Sequence, residues 1–122
     1  AAIECRINAE DPSKNFMPSP GTVSNLVFPS GPGVRVDSGL YSGYRIPLYY
    51  DSLLAKLVVW DEDRSSALAR MKRALGELTI DGMKTTRDLH ARLMNDAGVA
   101  AATYHNAYLE ERLPSLTAAA CA

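Results

Sequence analysis

Arg6 is a side chain whose type and setting could do chemistry. It lies in Glu4-Cys5-Arg6-Ile7-Asn8-Ala9-Glu10-Asp11-Pro12, where Ile3, Cys5 and Ile7 alternate with Glu4, Arg6 and Asn8. Period-2 alternation marks a strand with one buried face. Glu4, Arg6 and Asn8 therefore project together away from the core, with an acid and an amide at two-residue steps where they could hold the guanidinium head. That head is always protonated and presents a rigid planar fork of donors, which suits a carboxylate-like anion and which a lysine lacks. A surface arginine paired with Glu4 is the plainer alternative.

The elements that must position Arg6 follow from the pattern of the rest. Met17-Pro18-Ser19-Pro20-Gly21 is turn chemistry, and Thr22 to Phe28 reads as a second strand. Pro29-Ser30-Gly31-Pro32-Gly33 makes a tight loop before the alternating Val34-Arg35-Val36-Asp37, and Leu53 to Trp60 is apolar enough for a central strand. Asp63 stands at an N-cap, followed by Leu68, Met71, Leu75 and Leu78 at helical steps. Ile80 to Lys84 reads as a short extended connection. Thr85 with Asp88 resembles a capping box, opening a second helix that runs to about Asn95. Asp96 to Ala102 is a small-residue break, and Tyr104 to Leu113 suggest a last helix stopped before Pro114. The expected fold is α+β, an antiparallel sheet of some four strands from residues 3 to 60 with helices of the second half packed on it. Residues 1–113 are expected to form the domain and 114–122 a disordered tail.

At 122 residues, with 47% apolar and 22% charged residues and a net charge of -1, the chain has the composition of one folded domain. Nothing in that balance points to nucleic acid. No apolar run approaches the roughly 20 residues of a membrane span, and Ala1 to Arg6 is not a basic-then-apolar leader. No membrane partner and a cytoplasmic location are expected. Cys5 and Cys121 read as reduced thiols. A start without Met, almost directly in a strand, suggests a piece or domain of a longer polypeptide.

Five stretches then acquire a joint meaning: E-C-R-I-N-A-E-D-P, F-M-P-S-P-G, G-V-R-V-D-S, Y-Y-D-S-L-L-A-K-L and I-D-G-M-K-T. In this order and spacing they resemble the C-terminal domain of biotin carboxylases, the ligase components of acetyl-CoA, propionyl-CoA and pyruvate carboxylases. The likeness covers about residues 2 to 113. In that family an ATP-grasp fold phosphorylates hydrogencarbonate with MgATP, and biotin N1′ is then carboxylated. The resemblance implies that Arg6 contacts hydrogencarbonate and the biotin ureido oxygen, where charge builds as the N1′ proton leaves.

The same resemblance implies further roles. Tyr49-Tyr50-Asp51-Ser52 matches a stretch near the biotin site and the interface, so Asp51 could orient a nearby arginine there; Tyr49 and Tyr50 are more simply core aromatics of an edge strand. Arg35 matches an interface position of dimeric bacterial relatives, which implies a homodimer. Pro32 stands where a dimer-forming relative carries an aromatic residue, and a solvated strand arginine is the alternative for Arg35. The implied cofactors are biotin on a separate carrier domain and MgATP bound mainly by residues upstream. The implied partners are that upstream ATP-grasp part, the biotin carboxyl carrier domain and a carboxyltransferase, which chooses the final acceptor. Alone, the chain is expected to be inactive. The alternative is a non-catalytic interaction module providing a subunit interface and a docking face for the carrier.

Other signals are weaker. Met71-Lys72 and Met83-Lys84 look like biotin-attachment dipeptides, but the first is helical and the surroundings of the second do not fit. Gly31-Pro32-Gly33 is a turn and not a phosphate loop, since proline removes a donor. His90 and His105 have no carboxylate or cysteine at metal-ligand spacing, so no metal site is expected. Glu10-Asp11 before Pro12 reads as a turn, and Arg70, Lys72 and Arg73 as a solvated helix face.

Overall fold

The alternation around Arg6 is realised as strand β1, Ala2–Asn8, in a computed structural model that describes residues 1–46, 52–102 and 108–118. The further strands are β2 (Glu10–Asp11), β3 (Met17–Pro18), β4 (Gly21–Thr22), β5 (Asn25–Val27), β6 (Val34–Asp37), β7 (Arg45–Ile46), β8 (Leu53–Trp60) and β9 (Thr79–Asp81). The helices are α1 (Arg64–Glu77), α2 (Arg87–Met94), α3 (Ala97–Ala100) and α4 (Tyr108–Ala118). As its apolar run anticipates, β8 is central: the three-stranded antiparallel sheet has the order β1-β8-β6. Its inner face sets Cys5 against Leu57 and Val36, and Ile3 against Val59 and Val34. α1 packs over that face with Leu68, Met71, Ala74 and Leu75 buried. The Asp63 cap is present, its carboxylate accepting the Ser66 N–H at 2.7 Å.

The remaining strands form two-stranded ribbons, β2–β3, β4–β7 and β5–β9. The expected single strand from Thr22 to Phe28 is thus broken, and the reason is a change of partner. Val23, wholly buried, is still bonded to the β7 side through Tyr44 O at 2.9 Å and the Gly43 N–H at 2.7 Å, whereas the Ser24 N–H already reaches Asp81 O at 2.9 Å. β9 in turn makes a strand of what reads in sequence as a mere connection. Gly82, at φ +117°, lets the Thr22 carbonyl pass so close that a Cβ would collide with it.

Two helix boundaries also differ from expectation. Thr86, not Thr85, stands at the N-cap of α2, and its side chain does not bond that helix, although Thr85 Oγ1 accepts the Arg87 N–H at 3.3 Å. Asp88 pairs with Arg87 at 2.6 Å instead of closing a capping box. α4 runs through Pro114 to Ala118, so the segment expected to be tail from residue 114 is helical as far as Ala118. A helix-interior proline costs about 3 kcal/mol; buried Leu116, whose carbonyl accepts from Arg92 Nη1 at 3.2 Å, works against that cost. Arg70 departs from the solvated face as well. It bonds Trp60 O and pairs with Asp61 at 3.1 Å, tying α1 to the end of β8, while Lys72 and Arg73 stay exposed. No helix among the described residues is long and apolar enough to cross a membrane.

Candidate functional site

The outer face of the sheet carries two rows of side chains. Arg6 on β1 stands opposite Lys56 on β8, with Asp37 of β6 beyond; Glu4 stands opposite Val58, with Arg35 beyond. Arg6, Glu4, Arg35 and Asp37 are exposed, and Lys56 is half-buried between its neighbours. Glu4 and Asn8 do not hold the Arg6 head. Asn8 Nδ2 donates to Glu10 Oε1 at 2.9 Å instead, and among the described residues no carboxylate pairs with Arg6. The guanidinium fork is thus uncommitted, next to a second cation.

The backbone of Arg6 is held much more firmly than its side chain. Thr86, 4% exposed, donates its N–H to Asn8 O at 3.0 Å. Its Oγ1 accepts the Asn8 N–H at 3.0 Å and donates to Arg6 O at 3.2 Å. One turn along α2, His90 places Nε2 at 2.8 Å from the same Arg6 carbonyl. Burial pushes the imidazole below its ordinary 6.5, outweighing the opposing pull of that bond. The ring is therefore neutral at pH 7, and donation to a carbonyl puts its proton on Nε2. His90 also lines a cleft of about 380 Å³ with Glu4, Cys5, Arg64 and Tyr108; Arg6 is not one of its walls.

Behind this, Asp96 organises the end of the chain. Its carboxylate accepts the N–H groups of Gly98 at 3.0 Å and Val99 at 3.2 Å, the Tyr108 hydroxyl, and Arg112 Nη2 at 3.0 Å. The Tyr108 bond and then the Arg112 guanidinium hold it below the usual carboxylate range, against a desolvation that pushes the other way.

A family model described as the biotin carboxylase C-terminal domain matches residues 4–111. The chain belongs to that family. The biotin carboxylase of Pseudomonas aeruginosa is 54% identical over 112 residues, which are 92% of this domain and 25% of that protein. Biotin carboxylase 1 of Bacillus subtilis is 51% identical over 109 residues, 89% of this domain and 24% of that protein. The chain spans about a quarter of the length of these curated relatives. Among solved structures, the biotin carboxylase domain dimer of Hydrogenobacter thermophilus 2-oxoglutarate carboxylase, in complex with MgADP, ADP and bicarbonate, matches with a TM-score of 0.92 at 45% identity. That match covers 94% of this chain and 25% of the other. A biotin carboxylase from Campylobacter jejuni matches with a TM-score of 0.86 at 49% identity, covering 90% and 24%. The α+β class expected from the sequence is the class these biotin carboxylase domains share.

Of the site residues singled out in the sequence, Arg6 and Arg35 lie on one face of one sheet, on its two outer strands. Arg35 pairs with Asp37 at 2.9 Å and is 75% exposed. Asp51, Tyr49, Tyr50, His105 and Cys121 lie outside the described residues. Lys56, Thr86, His90 and Asp96 were not legible as site or support residues. Lys56 had a usable signal, as the single charged residue in the apolar run of β8. Thr86 and His90 had none, because their partners lie some 80 positions away in sequence.

Proposed function

We propose that this domain is part of an ATP-dependent biotin carboxylase, and that Arg6 is its contribution to the hydrogencarbonate and biotin site. The observation that carries the proposal is the Arg6 guanidinium, exposed beside Lys56 and bound to no acid among the described residues, in a chain of this family. Two cations on neighbouring strand positions repel one another, and an anion placed between them relieves that repulsion. Hydrogencarbonate is such an anion, and the planar fork matches it in two parallel hydrogen bonds. As the biotin N1′ proton departs, charge gathers on the ureido oxygen. A donor already aimed there stabilises the transition state more than the ground state.

Biotin arrives on a separate carrier domain, and MgATP, which supplies the phosphoryl group, is gripped mainly by upstream residues. A carboxyltransferase takes the carboxyl group onward, all in the cytoplasm. Asp51 orients an arginine of the same site. The direct test compares this domain alone with the complete polypeptide for ATP- and hydrogencarbonate-dependent carboxylation of biotin. The complete chain should carboxylate and the domain alone should not; a complete chain without that activity contradicts the proposal.

A second role, compatible with the first, belongs to Arg35. It is exposed on β6, an outer strand of the sheet, and the Hydrogenobacter relative is a domain dimer. On this reading Arg35→Glu lowers the subunit mass of the complete enzyme in solution, and an unaltered assembly argues against it.

A further inference from the structure

We infer that Thr86 and His90 are positioning residues, which fix the direction of the Arg6 side chain by clamping the backbone of β1 from the edge that β8 does not reach. The inference rests on the reading of Arg6 given above.

β1 is an outer strand of its sheet, so one row of its backbone donors and acceptors has no strand partner among the described residues. In a strand the N–H and C=O of a residue point to the same edge. Because Arg6 O is bonded to Thr86 and His90, the polar groups of Arg6 and Asn8 face α2 and not β8. Four hydrogen bonds from these two residues occupy that edge: Thr86 N–H to Asn8 O, Asn8 N–H to Thr86 Oγ1, Thr86 Oγ1 to Arg6 O and His90 Nε2 to Arg6 O. The two are themselves joined, since the His90 N–H donates to Thr86 O at 3.0 Å.

The location of this clamp is what gives it a function beyond edge satisfaction. The β1–β8 register shifts between Ile7 and Asn8, one residue past Arg6, where Leu54 of β8 is the extra residue. An extra residue of this kind bends the strand that carries it and locally disrupts the ladder to its partner. Where that ladder is disrupted, Thr86 holds β1 from its other edge, bonding Arg6 on one side of the irregularity and Asn8 on the other. Its hydroxyl is committed to β1 although it stands at the N-cap of α2, where a threonine ordinarily bonds its own helix. Neither residue needs to touch substrate to matter, because an error of about 1 Å at a reacting group can lower a rate roughly 100-fold.

The test is made in the complete enzyme with Thr86→Val, Thr86→Ser, His90→Ala, His90→Gln and Arg6→Ala, following kcat and KM for biotin carboxylation together with thermal unfolding. Thr86→Val and His90→Ala should each lower kcat roughly tenfold or more, with KM for ATP unchanged. Thr86→Ser and His90→Gln, which keep the donor, should restore the rate to within a few-fold. Wild-type kcat in Thr86→Val and His90→Ala, with Arg6→Ala impaired, overturns the clamp and leaves the role of Arg6 standing. Wild-type kcat in Arg6→Ala overturns the role of Arg6 and the clamp with it. If Thr86→Val does not fold, His90→Ala against His90→Gln decides alone: equal rates in the two overturn the clamp.

Discussion

Arg6 and Lys56 stand directly opposite one another on β1 and β8, two cations on the outer face of the sheet. The polar groups of the Arg6 backbone face α2, so this is the pair type in which antiparallel strands bring side chains closest, with Cα atoms about 4.5 Å apart. If an anion lies between them, removing one cation weakens its binding without removing the fork. In the complete enzyme Lys56→Met is expected to raise KM for hydrogencarbonate several-fold, with a smaller effect on kcat than Arg6→Ala. An unchanged KM excludes Lys56 from the site.

Cys5 is 2% exposed, and burial, helped by the nearby Glu4 charge, pushes its thiol from 9.0 up to about 12. A folded thiol that keeps its proton longer than the unfolded one contributes stability fully below about pH 9, and that contribution falls as pH rises toward 12. In a Cys121→Ser background, a thiol reagent should modify Cys5 only as fast as the domain unfolds, and stability should decline over that alkaline window. Prompt modification of the folded domain contradicts this burial.

Asp96 caps α3 and ties it to α4 through Tyr108 and Arg112. Asp96→Ala should cost about 1–2 kcal/mol, the usual loss for a helix cap, seen as a lower thermal midpoint. Because the folded carboxyl sits below its ordinary 3.8, the stability it contributes is present above that pH and is lost as pH falls through the folded value. The difference between wild type and Asp96→Ala should therefore shrink in acid; a pH-independent difference contradicts the ionic part of this role.

Gly33 has φ +72°, and a Cβ on it would strike the Arg70 guanidinium and come within 2.7 Å of Trp60 O. Gly39 has open space around it. Gly33→Ala should destabilise the domain by roughly 1–3 kcal/mol while Gly39→Ala is close to neutral. Equal effects at the two positions would show that the junction of α1 with the end of β8 tolerates a side chain.

What was legible in sequence is what depends on near neighbours. The period-2 run from Ile3 to Ile7, the apolar run of β8 and the Asp63 cap each carry their cause within a few residues. The break at Val23 was not legible, because it comes from β4 and β5 choosing partners at opposite ends of the chain's middle, β7 and β9. Pro114 misled for a related reason: its local cost is real, but Arg92 and the burial of Leu116 are tertiary. Arg6 was found by alternation and family register together. Alternation shows its face and points to its sequence neighbours Glu4 and Asn8 as supports, whereas the bonds that hold its backbone come from Thr86 and His90.

The most direct measurement is the rate of biotin carboxylation by the complete enzyme carrying Arg6→Ala or Arg6→Lys, with thermal unfolding followed alongside. Since Arg6 is exposed, both variants should unfold at nearly the wild-type temperature. Arg6→Ala should lose kcat by on the order of 100- to 1,000-fold, the scale of removing a donor to a developing oxyanion. Arg6→Lys, which keeps the charge and loses the fork, should fall between it and wild type. A wild-type rate from a normally folded Arg6→Ala enzyme contradicts the central role given to this arginine.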